Sequence, residues 1–413
     1  MTLNIIITIC VLLLLAYVFD LTAAKTRVPS VIMLLLLGWT VKLISKKFNL
    51  NIPDLEVFLQ IFGILGLILI VLEGALEIEF DKSKFKLIKK TSLISFVSLV
   101  VMSVSIAIVF QFYHSGNFRD GLINALPFCV ISSAIAIPSV KHLSKHSNEF
   151  IIYESSLSDI IGVVLFNFLM YNSIIDFLSI AEFTLQLAIL AVVSFVATIV
   201  LSVMMSKIEH RVKFAPIVIL LILIYAISEI LHLPALVFIL VFGLFIGNVN
   251  RLGQIRYIDK LKPEIIDREV TKFYELVKET GFIIRAIFFL IFGFIIETSE
   301  LFNVSTLLLS SIIVALIFAF RILILKLFKV KLFPLGFISP RGLLTILLFL
   351  IIPSEMKLSI VTKSVVLQVI VISTFVMMIS ILFTKKDVTL QKSEDKGNGN
   401  ELISKESDVK NDC

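Results

Sequence analysis

The run Ile-Ile-Tyr-Glu-Ser-Ser-Leu-Ser-Asp-Ile-Ile-Gly-Val-Val-Leu-Phe, residues 151–166, places Glu154 and Asp159 inside a stretch that is otherwise apolar or hydroxylated. A carboxylate at bilayer depth costs about 2.5–3.5 kcal/mol on insertion scales, so an acid held there marks a place where something binds. The candidates are a cation and a proton. Glu154 and Asp159 are five residues apart, which on a helix separates them by about 140°, so they cannot face one point and need different partners.

The surroundings place this run at membrane depth. Apolar residues make up 58% of the 413-residue chain and charged residues 16%, and the mean hydropathy is +1.05. No soluble domain of this length needs so much apolar surface. Windows of roughly 19 residues give thirteen candidate spans, near 3–19, 28–45, 58–76, 91–112, 121–140, 151–171, 184–205, 214–231, 234–248, 281–297, 304–326, 332–353 and 364–383. The fold class expected is therefore an all-α polytopic membrane protein.

Charge supports the span count. Lysine and arginine crowd the loops after odd-numbered spans, whereas the loops after even-numbered spans hold only Lys42, Lys46, Lys47, Arg119, Lys357 and Lys363. By the positive-inside rule an odd number of spans then puts the N-terminus outside and the C-terminus in the cytoplasm of a cell, with the plasma membrane as the expected location. Spans 8 and 9, parted by little more than residues 231–234, are the weak point, since merging them would invert everything downstream. Lys25 and Arg27 follow the first apolar core rather than precede it, which is the polarity of a retained helix and not of a cleaved leader.

The net charge of +6 is accounted for by these loops and their attraction to anionic headgroups, so lipid is an expected partner and nucleic acid is not. Cys10, Cys129 and Cys413 lack metal-ligand spacing, and the first two read as small packing residues. Two stretches look non-membranous. Residues 251–280 suggest an amphipathic linker on the cytoplasmic face, and residues 385–413 read as a disordered polar tail, leaving 1–384 as the membrane domain. Nothing resembles a nucleotide-binding or enzymatic domain, so neither an enzyme nor a cofactor is expected.

The basic candidates inside spans are Arg321 and Arg341, both in the second half. A buried carboxylate and a buried arginine offset one another's desolvation only when paired, so one of the two is expected to neutralise Glu154, leaving Asp159 free to titrate. Pro127 and Pro138 bracket Ser132 and Ser133 in the fifth span, and Pro334, Gly336, Pro340 and Gly342 punctuate the twelfth. Prolines free backbone carbonyls that serines can reclose or lend to an ion, so two broken, crossing helices in corresponding halves point to an inverted-repeat transporter. Glu73 and Glu77 read as solvated ends of span 3 near Lys82 and Lys84, and His142 and His146 as a wet loop face.

Residues 153–166 resemble the Glu-Ser-x-x-Asn-Asp segment of monovalent cation/proton antiporters. So do residues 28–38, Leu-Glu-Gly-Ala-Leu-Glu-Ile-Glu-Phe at 72–80, Ile-Phe-Phe-Leu-Ile-Phe-Gly at 287–293 and Pro-Arg-Gly-Leu-Leu-Thr at 340–345. The resemblance implies a thirteen-span homodimer with a mobile core and a dimerisation domain, exchanging Na+ or K+ for H+. It makes Asp159 the transient alkali-cation ligand, Ser155 and Ser158 its polar neighbours, and Glu154 the partner of a core arginine, with Arg321 preferred over Arg341. Two departures stand out. Ser158 occupies a position where Asn or Asp is usual, and Ser132-Ser133-Ala134 stands where many members have Thr-Asp-Pro. A single titrating carboxylate favours electroneutral exchange. The competing expectations are an organic-anion carrier and a transport-inactive sensor.

Overall fold

A backbone in hydrocarbon must satisfy its own polar groups, which dictates helices for the long apolar runs. The computed structural model describes residues 2–26, 28–48, 55–78, 84–113, 117–140, 143–172, 176, 178–189, 192–193, 214–230, 235–248, 263–297 and 303–384, and all regular structure among them is helical. The helices are α1 (Thr2–Thr26), α2 (Ser30–Lys47), α3 (Glu56–Glu77), α4 (Phe85–Tyr113), α5 (Phe118–Ala125), α6 (Ser133–Ser139), α7 (Lys145–Tyr171), α8 (Phe214–Ile230), α9 (Ala235–Gly247), α10 (Pro263–Ile295), α11 (Val304–Leu327), α12 (Leu343–Ile351) and α13 (Lys363–Leu382), with a further helical stretch at Leu178–Ile189. Five described segments are long and apolar enough to cross a bilayer: Val57–Glu77, Phe85–Tyr113, Phe118–Ser139, Val304–Leu327 and Lys363–Leu382. The expected tail, residues 251–262 of the 251–280 linker and the second half of span 7 fall outside the described residues, as does His142.

The helices pack in two groups. In one, α10 lies along α2 and α3, α9 along α3 and α8, and α1 against α2. Close approach of α2 and α10 depends on glycine at both contact points. A Cβ on Gly38 would come within 2.2 Å of the Leu290 carbonyl oxygen, and one on Gly293 within 2.4 Å of the Leu35 carbonyl oxygen. Small residues that let backbones touch are how helices associate where hydrophobic burial offers little, since the lipid is as apolar as the partner. The same pair is locked by Lys42, a buried cation whose Nζ donates to the carbonyls of Ile295 (3.1 Å) and Ile296 (2.8 Å) at the C-terminus of α10. Those carbonyls lack helical partners and carry the negative end of the helix dipole, so a lysine fits there.

Helix α10 runs without a break through the boundary between the expected amphipathic linker (251–280) and the span at 281–297. Residues 263–295 are one continuous helix. The reason lies in its buried stripe: Val270, Phe273, Val277, Gly281 and Phe288 recur at spacings of three, four and seven through both parts. Pro263 occupies the first helical position, where a missing N–H costs nothing, and no later proline interrupts the run.

The other group holds α4 against α7, α5 and α11, and α11 against α13, with α12 also touching α13. Polar contacts here are internal: Ser310 donates to Gln368 Oε1 (2.8 Å), and Ser95 donates to the Glu154 carbonyl (3.0 Å). Helix α3 touches both groups, packing on α9 and α10 and also on α7 and α12.

Candidate cation site at the crossing of two broken helices

Both helices that the proline pattern marks as interrupted are interrupted. The first runs as α5, a short 3-10 turn over Leu126–Phe128 containing Pro127, an extended stretch through Ser132, and α6. The second begins with a 3-10 turn over Leu335–Phe337, continues without helix to Gly342, and resumes as α12. The breaks meet. The Ser132 N–H donates to the Pro340 carbonyl at 2.9 Å, joining positions far apart in the chain. A Cβ on Gly342 would lie 2.5 Å from Ser132 Oγ and 2.8 Å from Ile135 Cδ1, so the crossing tolerates no side chain there.

Helix α7 lies against the first break. The Ser158 hydroxyl accepts the Ile131 N–H at 3.0 Å, giving a partner to a backbone donor that the unwinding left free. A Cβ on Gly162 would fall 2.5 Å from Val130 Cγ2, so this glycine permits the approach. One side of α7 thereby aims Asp159 at the N-terminus of α6. The Ser133 hydroxyl donates to Asp159 Oδ2, and the Ser133 backbone N–H faces the same carboxylate. Asp159 is 6% exposed, and among the described residues its other oxygen, Oδ1, has no hydrogen-bond partner. Half of this buried carboxylate is therefore satisfied, and the other half is available to a cation or a proton.

Glu154, on a different face of α7, is met by Arg321 from α11. Arg321 Nη1 and Nη2 donate to Glu154 Oε1 and Oε2, both at 2.9 Å, and Nε donates to the Leu335 carbonyl at 3.0 Å. Both side chains are 1% exposed. This fork geometry uses the guanidinium fully and ties α7, α11 and the second broken helix together. Arg341, grouped with this pair on the sequence, stands elsewhere. Its backbone N–H donates to Ser373 Oγ (3.1 Å), its Nη2 lies 3.8 Å from Met102 Sδ, and among the described residues no carboxylate is within ion-pair distance of it. Arg321, and not Arg341, holds both oxygens of Glu154.

The serines divide. Ser133 touches Asp159, Ser158 closes the break, and Ser132 forms the crossing. Ser155 donates back to the Ile151 carbonyl of its own helix at 2.8 Å. Glu73 is not a solvated helix end as expected: it pairs with Arg285 of α10, a residue the sequence reading passed over, and both are largely buried. The signal was present, because Arg285 is a charge inside an apolar run and the rule that singled out Arg321 applies to it equally. Glu77, one turn beyond Glu73 on α3, lies within electrostatic range of Asp159 and of Tyr274.

The family model for the transmembrane sodium/hydrogen exchanger matches residues 10–385. The chain belongs to the sodium/hydrogen exchanger family. Membership makes it a multi-pass membrane transporter and not an enzyme, and the exchange it performs is of cations for protons. Among solved structures, the sodium proton antiporter MjNhaP1 from Methanocaldococcus jannaschii at pH 8 superimposes with a TM-score of 0.65, at 18% identity, over 92% of this chain and 96% of that one. An electron-microscopy map of the same antiporter gives 0.64 at 18% identity, over 92% and 95%. At that identity the likeness establishes a shared fold. No curated protein sequence matches by direct comparison.

Proposed function

We propose that this exchanger moves one monovalent alkali cation, Na+ or K+, against one proton, with both competing for Asp159. The observation that carries the proposal is the half-satisfied carboxylate at the crossing of the broken helices. A buried charge with an unmade bond is unfavourable unless a proton or a cation completes it, and either one excludes the other. A carboxylate, the Ser133 hydroxyl and backbone carbonyls freed by the breaks are hard oxygen donors, which suit an alkali ion. Glu154 and Arg321 form an ion pair that holds the site's frame rather than a ligand set.

Transport in this account is alternating access. The group containing α4 to α7 and α11 to α13 carries the site and moves as the core against the group around α2, α3 and α10, which forms the dimerisation domain of a homodimer. The halves are inverted repeats within thirteen spans, with the N-terminus outside and the C-terminus in the cytoplasm. A core that moves only when Asp159 is loaded enforces exchange. With Ser133 in place of a second acid, one negative charge is neutralised on each leg, so the exchange is electroneutral.

Purified protein in liposomes holding a pH dye, pulsed with Na+, K+ or Li+ with the membrane potential clamped and unclamped, tests this directly. Cation-dependent proton flux that ignores voltage and disappears in Asp159→Asn is the expected result. Flux that survives in Asp159→Asn, or its absence for every alkali cation from well-folded protein, refutes the assignment.

A further inference from the structure

Arg341 is a buried charge with no part in the chemistry of Asp159. Its side chain is 0% exposed and belongs to the unwound stretch of the second broken helix, between Phe337 and α12. Among the described residues, Nε and Nη1 have no hydrogen-bond partner, and Nη2 meets only the Met102 sulfur at 3.8 Å, a weak acceptor. Ser339, two residues earlier in the same stretch, is also 0% exposed, and its Oγ has no partner among those residues. The break therefore holds a cation and a hydroxyl whose hydrogen-bonding capacity the surrounding side chains leave unmet.

The groups around Arg341 do not neutralise it. Cys129, Arg321 and Glu154 lie within electrostatic range. Glu154 gives both carboxylate oxygens to Arg321, so the two together present little net charge to a third group. Cys129 donates from Sγ to the Ala125 carbonyl (3.4 Å), as a neutral thiol does. Ser373 accepts the Arg341 backbone N–H and donates to the Ile370 carbonyl, each at 3.1 Å, without reaching the guanidinium. A lysine so placed could shed its proton, whereas a guanidinium stays charged. A buried charge without a counter-charge is strongly unfavourable, and an anion beside it removes that cost.

We propose that Arg341 binds a small inorganic anion, of the size and charge of chloride, which accepts from a guanidinium N–H that the protein leaves unused and from the Ser339 hydroxyl. Full burial of both side chains limits the occupant to a small ion. The anion is a resident counter-ion and not cargo. Its consequence for transport rests on Asp159 being the exchange site. With Arg341 neutralised, and with Glu154 and Arg321 cancelling, the buried charge left on the described core helices is that of Asp159. The loaded core is then neutral and the empty core charged, which is the condition under which only a loaded core crosses hydrocarbon readily. With Arg341 bare, the loaded core would instead carry a positive charge.

The test is the thermal unfolding midpoint of the purified full-length protein in neutral detergent, with sodium chloride, sodium bromide or sodium gluconate added at matched sodium concentration. A saturable rise with chloride and bromide over gluconate is expected, lost in Arg341→Gln and kept in Asp159→Asn. No such rise in the unaltered protein, or an equal rise in Arg341→Gln, overturns the proposal. Should Arg341→Gln fail to fold, Ser339→Ala, which leaves the guanidinium in place, decides the matter: at least a threefold increase in the half-saturating chloride concentration is expected, and no change contradicts the site. In liposomes, replacing chloride by gluconate on both sides should slow cation-dependent proton flux at least threefold, and flux indifferent to the replacement contradicts the counter-ion role. A midpoint that responds to chloride in a protein whose flux survives Asp159→Asn keeps the anion site and removes the exchange site, while the opposite pair of results removes the anion site alone.

Discussion

Ser133 is the residue on which the chemistry of Asp159 turns, because its hydroxyl engages one carboxylate oxygen while the other stays open. Ser133→Ala should keep exchange but raise the cation KM several-fold, measured by dye-reported proton flux. Ser133→Asp adds a second acid beside the first and should make the exchange respond to membrane voltage. The Glu154–Arg321 pair behaves differently. Arg321→Met leaves a carboxylate buried and unpaired, which costs about 3–5 kcal/mol, whereas the joint change Glu154→Gln, Arg321→Met removes both charges and should recover much of that loss. Thermal unfolding of the two variants in detergent checks the order. The sequence made this pair legible because buried charges must find partners and the apolar runs offer few. The buried-charge rule alone did not choose between Arg321 and Arg341; the preference for Arg321 came from the resemblance, since the choice depends on where the second broken helix bends and which guanidinium is thereby brought to α7.

At the scale of elements, the two breaks could be foreseen from Pro127, Pro138, Pro334 and Pro340, but their register could not. The bond from Ser132 N–H to the Pro340 carbonyl links segments that no local pattern relates. Gly342 is the sensitive point of that contact. Gly342→Val should push Ser132 and Ile135 away, cost about 1–3 kcal/mol through overpacking, and abolish transport even where the protein still folds, as seen by unfolding midpoint and flux on the same sample. The continuity of α10 through residue 280 was hidden for a different reason. Polar residues along its first half look like a change of environment, while the stripe from Val270 to Phe288 keeps the helical phase, and phase governs packing.

For the whole molecule, the placement of α3 between the two groups of helices brings Glu77 within electrostatic range of Asp159 in the other group, while Glu73 pairs with Arg285 inside its own. Sequence patterning placed this helix but saw its acids as solvated, because what faces α3 is decided only by how α7 and α10 pack on it. Competition at one carboxylate has a consequence at this scale. The apparent cation KM should rise by about tenfold for each unit of pH decrease once protonation of Asp159 dominates, while the maximal rate at saturating cation changes far less. Flux measured from pH 6 to 8 on both sides of the liposome checks this, and a KM that stays level across the range would remove competition as the mechanism.

The central claim, that cation and proton displace each other at Asp159, is tested most directly by counting protons. Weakly buffered, detergent-solubilised protein is titrated with NaCl or KCl, against choline chloride as control, while the pH is recorded. Near the midpoint of the site's titration the account predicts release of a substantial fraction of about one proton per chain on cation addition, and none from Asp159→Asn. Equal release from Asp159→Asn, or no release from the unaltered protein at any pH where it transports, would contradict it.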